Sequence, residues 1–164
     1  MDRIVDVAQQ IIIQYKKLTG ENIDEMKLHK LLYFCQRETY AILGRPLFNE
    51  KMQGWKYGPV SPIVRSYFTP EGMNCKTRQV SNEAAYIINN IVHQYAPIAA
   101  WRLSQISHEE KSWLKSREGL AKDEPGDREL LEQLIMEDAQ KVRPYDSLYD
   151  MYYDEFDDIE SVAE

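Results

Sequence analysis

Residues 24 to 44 carry the pattern that most restricts the fold of this chain. Apolar side chains recur there every three or four residues, which is the spacing of one face of an amphipathic helix. Asp24 is of a type that caps helix N-termini, and Gly44 is of the type that ends helices. The apolar positions are Leu28, Leu31, Leu32, Cys35 and Ile42. The segment is predicted to be the central helix of the fold.

Similar spacing predicts further helices along the chain. Their predicted ranges are 2–18, 62–68, 81–95, 97–106, 107–118 and 128–141. Ser61 and Pro62 suit an N-cap followed by a first-turn proline, and Ser107 and Glu110 have the spacing of a capping box. In the last helix, four side chains are expected to face inward, namely Leu130, Leu131, Leu134 and Ile135.

The least helical stretch lies between Gly44 and Pro62. Its glycines, prolines and aromatic residues favour short strands or an ordered loop. Residues 69–80 are predicted to form a loop. The fold class is therefore mainly α, a compact bundle of about six to seven helices with a small β element or ordered loop around residues 46–60.

Charge divides the chain into two parts. Residues 1–122 hold 17 Lys and Arg against 12 Asp and Glu, whereas residues 123–164 hold 3 against 15. Such asymmetry is typical of an interaction tail, or of a segment that folds back on a basic body. We expect a helical domain over residues 1–143 and an acidic aromatic tail over residues 144–164.

Composition places the chain in the ordinary globular class. Hydrophobic residues make up 43% and charged residues 29% of the 164 residues. No apolar run approaches the roughly 18 residues that a membrane helix needs. The two cysteines, Cys35 and Cys75, are expected to be free thiols, and a cytoplasmic location is expected.

Motifs for catalysis are missing from the sequence. His29, His93 and His108 do not have the spacing of a zinc site, and Ser112 stands where a metalloprotease helix would need its second histidine. The glycines form no phosphate-binding or dinucleotide-binding loop. No metal or cofactor is expected, and the protein is predicted not to be an enzyme.

Four segments resemble the Panacea domain, also called the SocA-like or phage-associated DUF4065 domain. They are Lys27 to Gln36, Gly44 to Phe48, Trp55 to Val60, and Leu103 to Trp113. The resemblance covers roughly residues 5–120. It implies an antitoxin of a bacterial or phage type II toxin–antitoxin system, which neutralises a cognate toxin encoded by a neighbouring gene. Members of the family pair with unrelated toxins, so the resemblance leaves the toxin unidentified.

Several residues in these segments have both a structural and a functional interpretation. Tyr33 and Gln36 are interpreted as a buried hydrogen-bonded pair in preference to a partner contact. Trp55, Lys56 and Tyr57 belong to a turn that we expect to be rigid, with its aromatic rings packed on the central helix. The alternative is an exposed partner-binding site, because tryptophan and tyrosine often anchor interfaces.

His108 and Trp113 are expected to be a first-turn helix residue and a core side chain. Cys35 is expected to be buried.

The acidic tail offers a second candidate partner-binding surface. If it is helical, its aromatic residues align beside an acidic face. The candidate residues are Tyr145, Tyr149, Tyr152, Tyr153, Asp154, Glu155, Phe156, Asp157 and Asp158. The structural alternatives are packing on the basic body or a disordered, solvated tail. The functional one is an arm that occupies the basic cleft of a toxin.

Three hypotheses follow. The leading one is an antitoxin that binds its toxin directly. The second is a proteolytic adaptor that delivers a bound partner to a protease. The third is a DNA-binding protein whose tail is autoinhibitory, although the acidic net charge makes nucleic acid an unlikely partner.

Overall fold

The computed structural model describes residues 1–142. This part of the chain contains seven helices: α1 (Ile4–Thr19), α2 (Glu25–Leu43), α3 (Pro62–Tyr67), α4 (Asn82–Tyr95), α5 (Ala100–Ser107), α6 (Lys111–Ser116) and α7 (Glu132–Ala139). It also contains two antiparallel hairpins, β1 (Gln53–Trp55) with β2 (Gly58–Val60), and β3 (Phe68–Thr69) with β4 (Gly72–Met73). The predicted mainly α class is confirmed.

Helix α2 is the central element, as predicted. The Asp24 side chain accepts a hydrogen bond from the Lys27 amide at 2.8 Å, and Gly44 ends the helix in a left-handed conformation. Every residue from Lys27 to Tyr40 is buried, because α1, α4, α5, α7 and the β1–β2 hairpin all pack around this helix. A helix enclosed on all sides must also bury its polar residues, and those polar residues shape the candidate site.

Three other predicted helix boundaries are confirmed by their caps. Gly20 ends α1 with a φ of 77°. Ser61 caps α3, in which Pro62 is the first residue, and the Ser81 side chain caps α4. Each of these signals is local, so the sequence is sufficient to place it.

The two hairpins differ in how well the sequence predicts them. The predicted β element around residues 46–60 is confirmed as β1–β2, in which Gln53 pairs with Val60. The predicted loop over residues 69–80 is wrong at its start, because β3 and β4 pair there. A tertiary contact supports that hairpin, since the Met73 amide donates to Gln9 of α1 at 2.8 Å.

The predicted capping box of Ser107 and Glu110 is wrong. The Ser107 hydroxyl donates instead to the carbonyl of Ser104 at 2.8 Å. Glu110 occupies the N-cap position of α6 without a side-chain cap bond, because its carboxylate is bonded to Arg37 of α2 at 2.7 Å. Here a buried tertiary ion pair prevails over a local motif.

Two predicted helix starts are also wrong. Helix α5 begins at Ala100, after a turn that contains Pro97. Helix α7 begins at Glu132 and not at Arg128, since residues 128–130 lie beside β1. The Gly54 amide donates to the Arg128 carbonyl at 2.9 Å, and the Leu130 amide donates to Met52 at 2.8 Å.

The extended conformation of residues 128–130 changes which leucines face the core. Leu130 is buried but its neighbour Leu131 is 53% exposed, so the inward orientation predicted for Leu131 is wrong. Ile135 is buried and Leu134 is half-buried. Both cysteines are free, with Cys35 buried in α2 as predicted. Within residues 1–142, no helix combines the length and the apolar character needed to span a bilayer.

Candidate functional site

A cleft of about 490 Å³ opens beside the first turns of α2. We call it the hairpin cleft, because the β1–β2 hairpin forms one wall and α3 and the segment 123–126 complete it. Its lining consists of Glu25, Met26, His29, Lys30, Trp55, Lys56, Tyr57, Val60, Arg65, Asp123, Pro125 and Gly126. The three body residues predicted to bind a partner, Trp55, Lys56 and Tyr57, are therefore brought together in one concave surface.

The hairpin turn is held by its backbone carbonyls. The Trp113 indole N–H donates to the Trp55 carbonyl at 2.8 Å, and the Ser104 hydroxyl donates to the Tyr57 carbonyl at 2.5 Å. Trp113 is itself stacked on His108, with ring centroids 4.0 Å apart. The expected rigid turn is thus anchored at both ends by side chains of α5 and α6.

The aromatic side chains of the turn remain available for contact. Tyr57 is 54% exposed and Trp55 is half-buried, so the expectation that Tyr57 packs on the central helix is wrong. The Lys56 ammonium lies 4.8 Å from the centre of the Tyr57 ring, and the Arg65 guanidinium lies 5.4 Å from that of Trp55. Two pairs of a cation and an aromatic ring therefore line the cleft.

Gly58 permits the close approach of the hairpin to α2. Its φ is 125°, and a Cβ atom there would lie 2.5 Å from Lys30 Cε and 2.6 Å from Ser107 Oγ. Both the backbone conformation and the available space therefore require glycine. The resulting contact brings the hairpin over the Lys30 side chain.

His29 is buried in the wall of the cleft as a neutral imidazole. The Ser61 amide donates to its Nδ1 at 3.2 Å, so the proton lies on Nε2. Burial, followed by the positive charges of Lys30 and Arg65, lowers the pKa of His29 to about 3. The Glu25 carboxylate lies 3.6 Å from Nε2, but it is paired with Arg65.

Lys30 is the most enclosed cation of the cleft. Its side chain is 1% exposed, and within residues 1–142 its ammonium makes no hydrogen bond or ion pair. Burial lowers its pKa to about 8, opposed by the charge of Asp24. An ammonium without a buried counterion is unfavourable in the folded state, and this arrangement is unusual for lysine.

A second group of polar side chains lies one to two turns further along α2, where it joins this helix to α6 and α7. We call it the Tyr33 cluster; its members are Tyr33, Arg37, Glu110, Ser112 and Asp138. The Tyr33 hydroxyl donates to Asp138 Oδ2 at 2.8 Å and lies 3.1 Å from Glu110 Oε2. Burial and the two carboxylates raise the pKa of Tyr33.

Asp138 serves as the cap that α6 lacks locally. Its carboxylate accepts hydrogen bonds from the amides of Lys111 and Ser112 at 2.7 and 3.0 Å, and from the Ser112 hydroxyl at 2.6 Å. Burial raises the pKa of Glu110, an effect that the charge of Arg37 opposes. All of these bonds join elements of the fold, so the Tyr33 cluster has a structural role.

Tyr33 and Gln36 are both buried, as predicted, but they are not hydrogen-bonded to each other. Gln36 donates to the Phe48 carbonyl at 2.9 Å and accepts from the Leu47 amide at 2.7 Å, so it fixes the chain after α2. Trp113 is half-buried against the core. The nine predicted tail residues, from Tyr145 to Asp158, lie outside the described residues.

The sequence pattern does not identify His29, Lys30 and Arg65 as residues of the cleft. The spacing of the histidines bears on His29 only as a possible metal ligand, and within residues 1–142 no three metal-binding side chains come together. A weak signal existed, because Lys27, His29 and Lys30 are closely spaced polar positions beside the apolar stripe of α2. Only the closed hairpin shows that these side chains are buried.

The cleft and the central helix lie largely within a region that known proteins share. A family model described as "Antitoxin SocA-like, Panacea domain" matches residues 28–114, which is more than half of the chain. The chain therefore belongs to the SocA-like Panacea family, as the sequence motifs predicted. That family is named for an antitoxin.

One similar curated protein is Antitoxin SocA of Caulobacter vibrioides (strain NA1000 / CB15N). It is 42% identical over 50 residues, which are 30% of this chain and 27% of that protein. The match thus spans about a quarter of the relative's length. No solved structure matches this chain.

Proposed function

We propose that the protein is the antitoxin of a type II toxin–antitoxin system and that it neutralises a cognate toxin, encoded by a neighbouring gene, by direct binding in the cytoplasm. The observation that carries the proposal is the family match over residues 28–114, which includes most of the hairpin cleft. The proposed mechanism is occlusion of the toxin, with no reaction catalysed by the antitoxin itself.

The hairpin cleft is the proposed contact surface of the helical domain, residues 1–143. Trp55 and Tyr57 are of the residue types that most often dominate binding energy at protein interfaces. Their turn is fixed by hydrogen bonds from Trp113 and Ser104, so little conformational freedom remains to be lost on binding. Lys56 adds a positive charge at the rim.

The acidic tail, residues 144–164, is the proposed second contact. Its sequence from Asp146 to Glu164 holds eight acidic residues and no basic one. Toxins that act on nucleic acids or nucleotides need basic surfaces, and opposite charge accelerates association with such surfaces. This role rests on the sequence.

Co-expression with the neighbouring gene tests the proposed function. The neighbour alone should arrest growth, and this protein should restore growth and co-purify with the neighbour in a stable complex. The double variant Trp55→Ala/Tyr57→Ala should lose neutralisation, whereas Trp101→Ala, which removes a 65% exposed tryptophan outside the cleft, should retain it. A harmless neighbour would contradict the proposal, and loss of the partner by degradation would favour a proteolytic adaptor.

A further inference from the structure

Lys30 has the chemistry of a binding residue, because its ammonium has no counterion within residues 1–142. Its side chain is 1% exposed, yet no carboxylate within residues 1–142 forms an ion pair or a hydrogen bond with it. The nearby lysine of the same helix, Lys27, is also buried, but its ammonium donates to the Ala96 carbonyl at 2.9 Å. Buried ammonium groups are normally paired, so the exception at Lys30 requires an explanation.

The cleft supplies that explanation, because Lys30 forms part of its wall. A ligand in the cleft can reach an ammonium that bulk water barely reaches. An ion pair formed there is weakly screened by salt and is stronger than a pair on the surface.

His29 provides a second donor in the same wall. Its Nδ1 accepts the Ser61 amide, so its Nε2 carries a proton, and this buried atom has no hydrogen-bond partner in the described part of the chain. The imidazole remains neutral at physiological pH and can donate without adding charge. Two adjacent donors thus line one cavity, and neither makes a hydrogen bond within residues 1–142.

The remaining walls suit a flat or apolar body. Trp55, Tyr57, Met26 and Val60 contribute aromatic and aliphatic surface. The volume of about 490 Å³ falls within the range of small-molecule sites, roughly 300 to 1,000 Å³. An apolar cavity with a few converging polar groups is the usual form of such a site.

The charges around the cleft favour an anion over a cation. Three cations, Lys30, Lys56 and Arg65, line it together with two carboxylates, those of Glu25 and Asp123. Glu25 is paired with Arg65 at the rim, which leaves Lys30 as the deepest charge.

We propose that the hairpin cleft is a binding site for a small organic anion, in which a carboxylate or phosphate group pairs with Lys30 and a ring or apolar body lies against Trp55 and Tyr57. The His29 Nε2–H is a neutral donor to a further polar atom of the ligand. One consequence rests on the proposed function: since the toxin is proposed to bind at the hairpin cleft, such an anion competes with it for Trp55 and Tyr57.

Titration of the purified full-length protein with benzoate and with phenyl phosphate tests the site without any toxin. Saturable binding is expected for one or both anions, and the anion that binds identifies the preferred group. Benzyl alcohol, the neutral control, should bind about ten times more weakly or not at all, since charge-assisted hydrogen bonds contribute that much. The proposal is overturned if neither anion shows saturable binding up to about 10 mM. Almost any specific site binds its ligand more tightly than that concentration implies.

A pair of lysine variants isolates the role of Lys30. Lys30→Met should weaken anion binding by about tenfold or more, while the buried methionine preserves the packing. Lys17→Met, the same change at an exposed lysine of α1 outside the cleft, should have no effect. Equal affinities of wild type and a folded Lys30→Met protein would exclude the pairing.

A measurement on the wild type keeps the test decisive if the Lys30 variant does not fold. Ring protons of the bound anion should show nuclear Overhauser contacts to Trp55 and Tyr57. The exposed Trp101, which does not line the cleft, should show none. Contacts to Trp101 alone would place the ligand elsewhere and overturn the proposal. None of these measurements uses the toxin. The anion site can therefore be tested independently of the proposed antitoxin function, and either proposal can be wrong without the other.

Discussion

At the scale of single residues, Gly58 determines how closely the hairpin approaches α2. Gly58→Ala should destabilise the protein by about 2–4 kcal/mol, because the positive φ and the contact with Lys30 Cε both oppose a side chain. Gly20→Ala is the matched control, since Gly20 also has a positive φ but a methyl group added there would meet no atom within 4 Å. Its loss should be about 1 kcal/mol. Urea denaturation measures both values, and equal losses would contradict the packing argument.

His29 should make the fold sensitive to moderate acid. Below pH 6.5 the unfolded chain binds a proton at this residue, whereas the folded protein does not until about pH 3, so falling pH favours unfolding. The expected loss of unfolding free energy between pH 6.5 and 4.5 is about 2–3 kcal/mol.

His29→Asn should remove most of this slope, because the Asn side-chain oxygen can still accept the Ser61 amide. Chemical denaturation over the pH series measures the slope. His93→Asn, at an exposed position of α4, should retain the wild-type slope. A wild-type slope in the His29 variant would show that other groups cause the acid sensitivity.

At the scale of elements, α6 and α7 are stabilised together by Asp138. Asp138→Ala should cost about 3 kcal/mol or more, because it leaves the first amides of α6 without their buried acceptor and removes the shortest hydrogen bond of the Tyr33 hydroxyl. Glu137→Ala removes a neighbouring, partly exposed carboxylate and should cost less than about 1 kcal/mol. The near-ultraviolet circular dichroism of Trp113 should change in the first variant only, and similar unfolding energies would contradict the capping role.

The helices that the sequence predicted well are those with local signals. Asp24, Ser61, Ser81 and Gly44 act on backbone groups within a few residues, so their caps follow from the sequence alone. Glu110 could not be predicted in this way, because its partner Arg37 is 73 positions away along the chain. The prediction that α7 begins at Arg128 was wrong for the same reason. Residues 128–130 are bonded to β1, and helical spacing contains no information about that strand.

The candidate site shows the same division. The Trp55–Tyr57 turn was recognisable from its motif, and the structure places it on a cleft. The burial of His29 and Lys30 depends on the hairpin, α3 and segment 123–126 closing over one end of α2. No spacing rule within α2 could therefore predict that its first turns form the wall of a cavity.

At the scale of the whole molecule, charge separates a mildly basic body from an acidic C-terminal region. Under the proposed function, neutralising Asp154, Glu155, Asp157 and Asp158 together should slow toxin association about tenfold at low salt, because steering by charge is lost. The difference should shrink as salt is added. Stopped-flow mixing at two ionic strengths measures the rates.

The aromatic residues of the tail should affect the rate at which the toxin dissociates. Replacing Tyr149, Tyr152 and Phe156 by alanine should accelerate dissociation about tenfold or more and leave association nearly unchanged, because most interface substitutions act on dissociation. Surface plasmon resonance separates the two rates. Kinetics identical to wild type in both sets of variants would remove the tail from the mechanism.

The hydrogen bonds between Asp138 and α6 also determine where the gene can be truncated without loss of the fold. A stop codon placed after residue 142 would preserve the contacts that the Tyr33 cluster makes within residues 1–142. One placed before codon 138 would withdraw a hydrogen-bond acceptor from a helix that ends more than twenty residues earlier in the chain. Deletion series and C-terminal fusions that probe the acidic region should therefore begin beyond that codon, so that loss of function reports on binding rather than on misfolding.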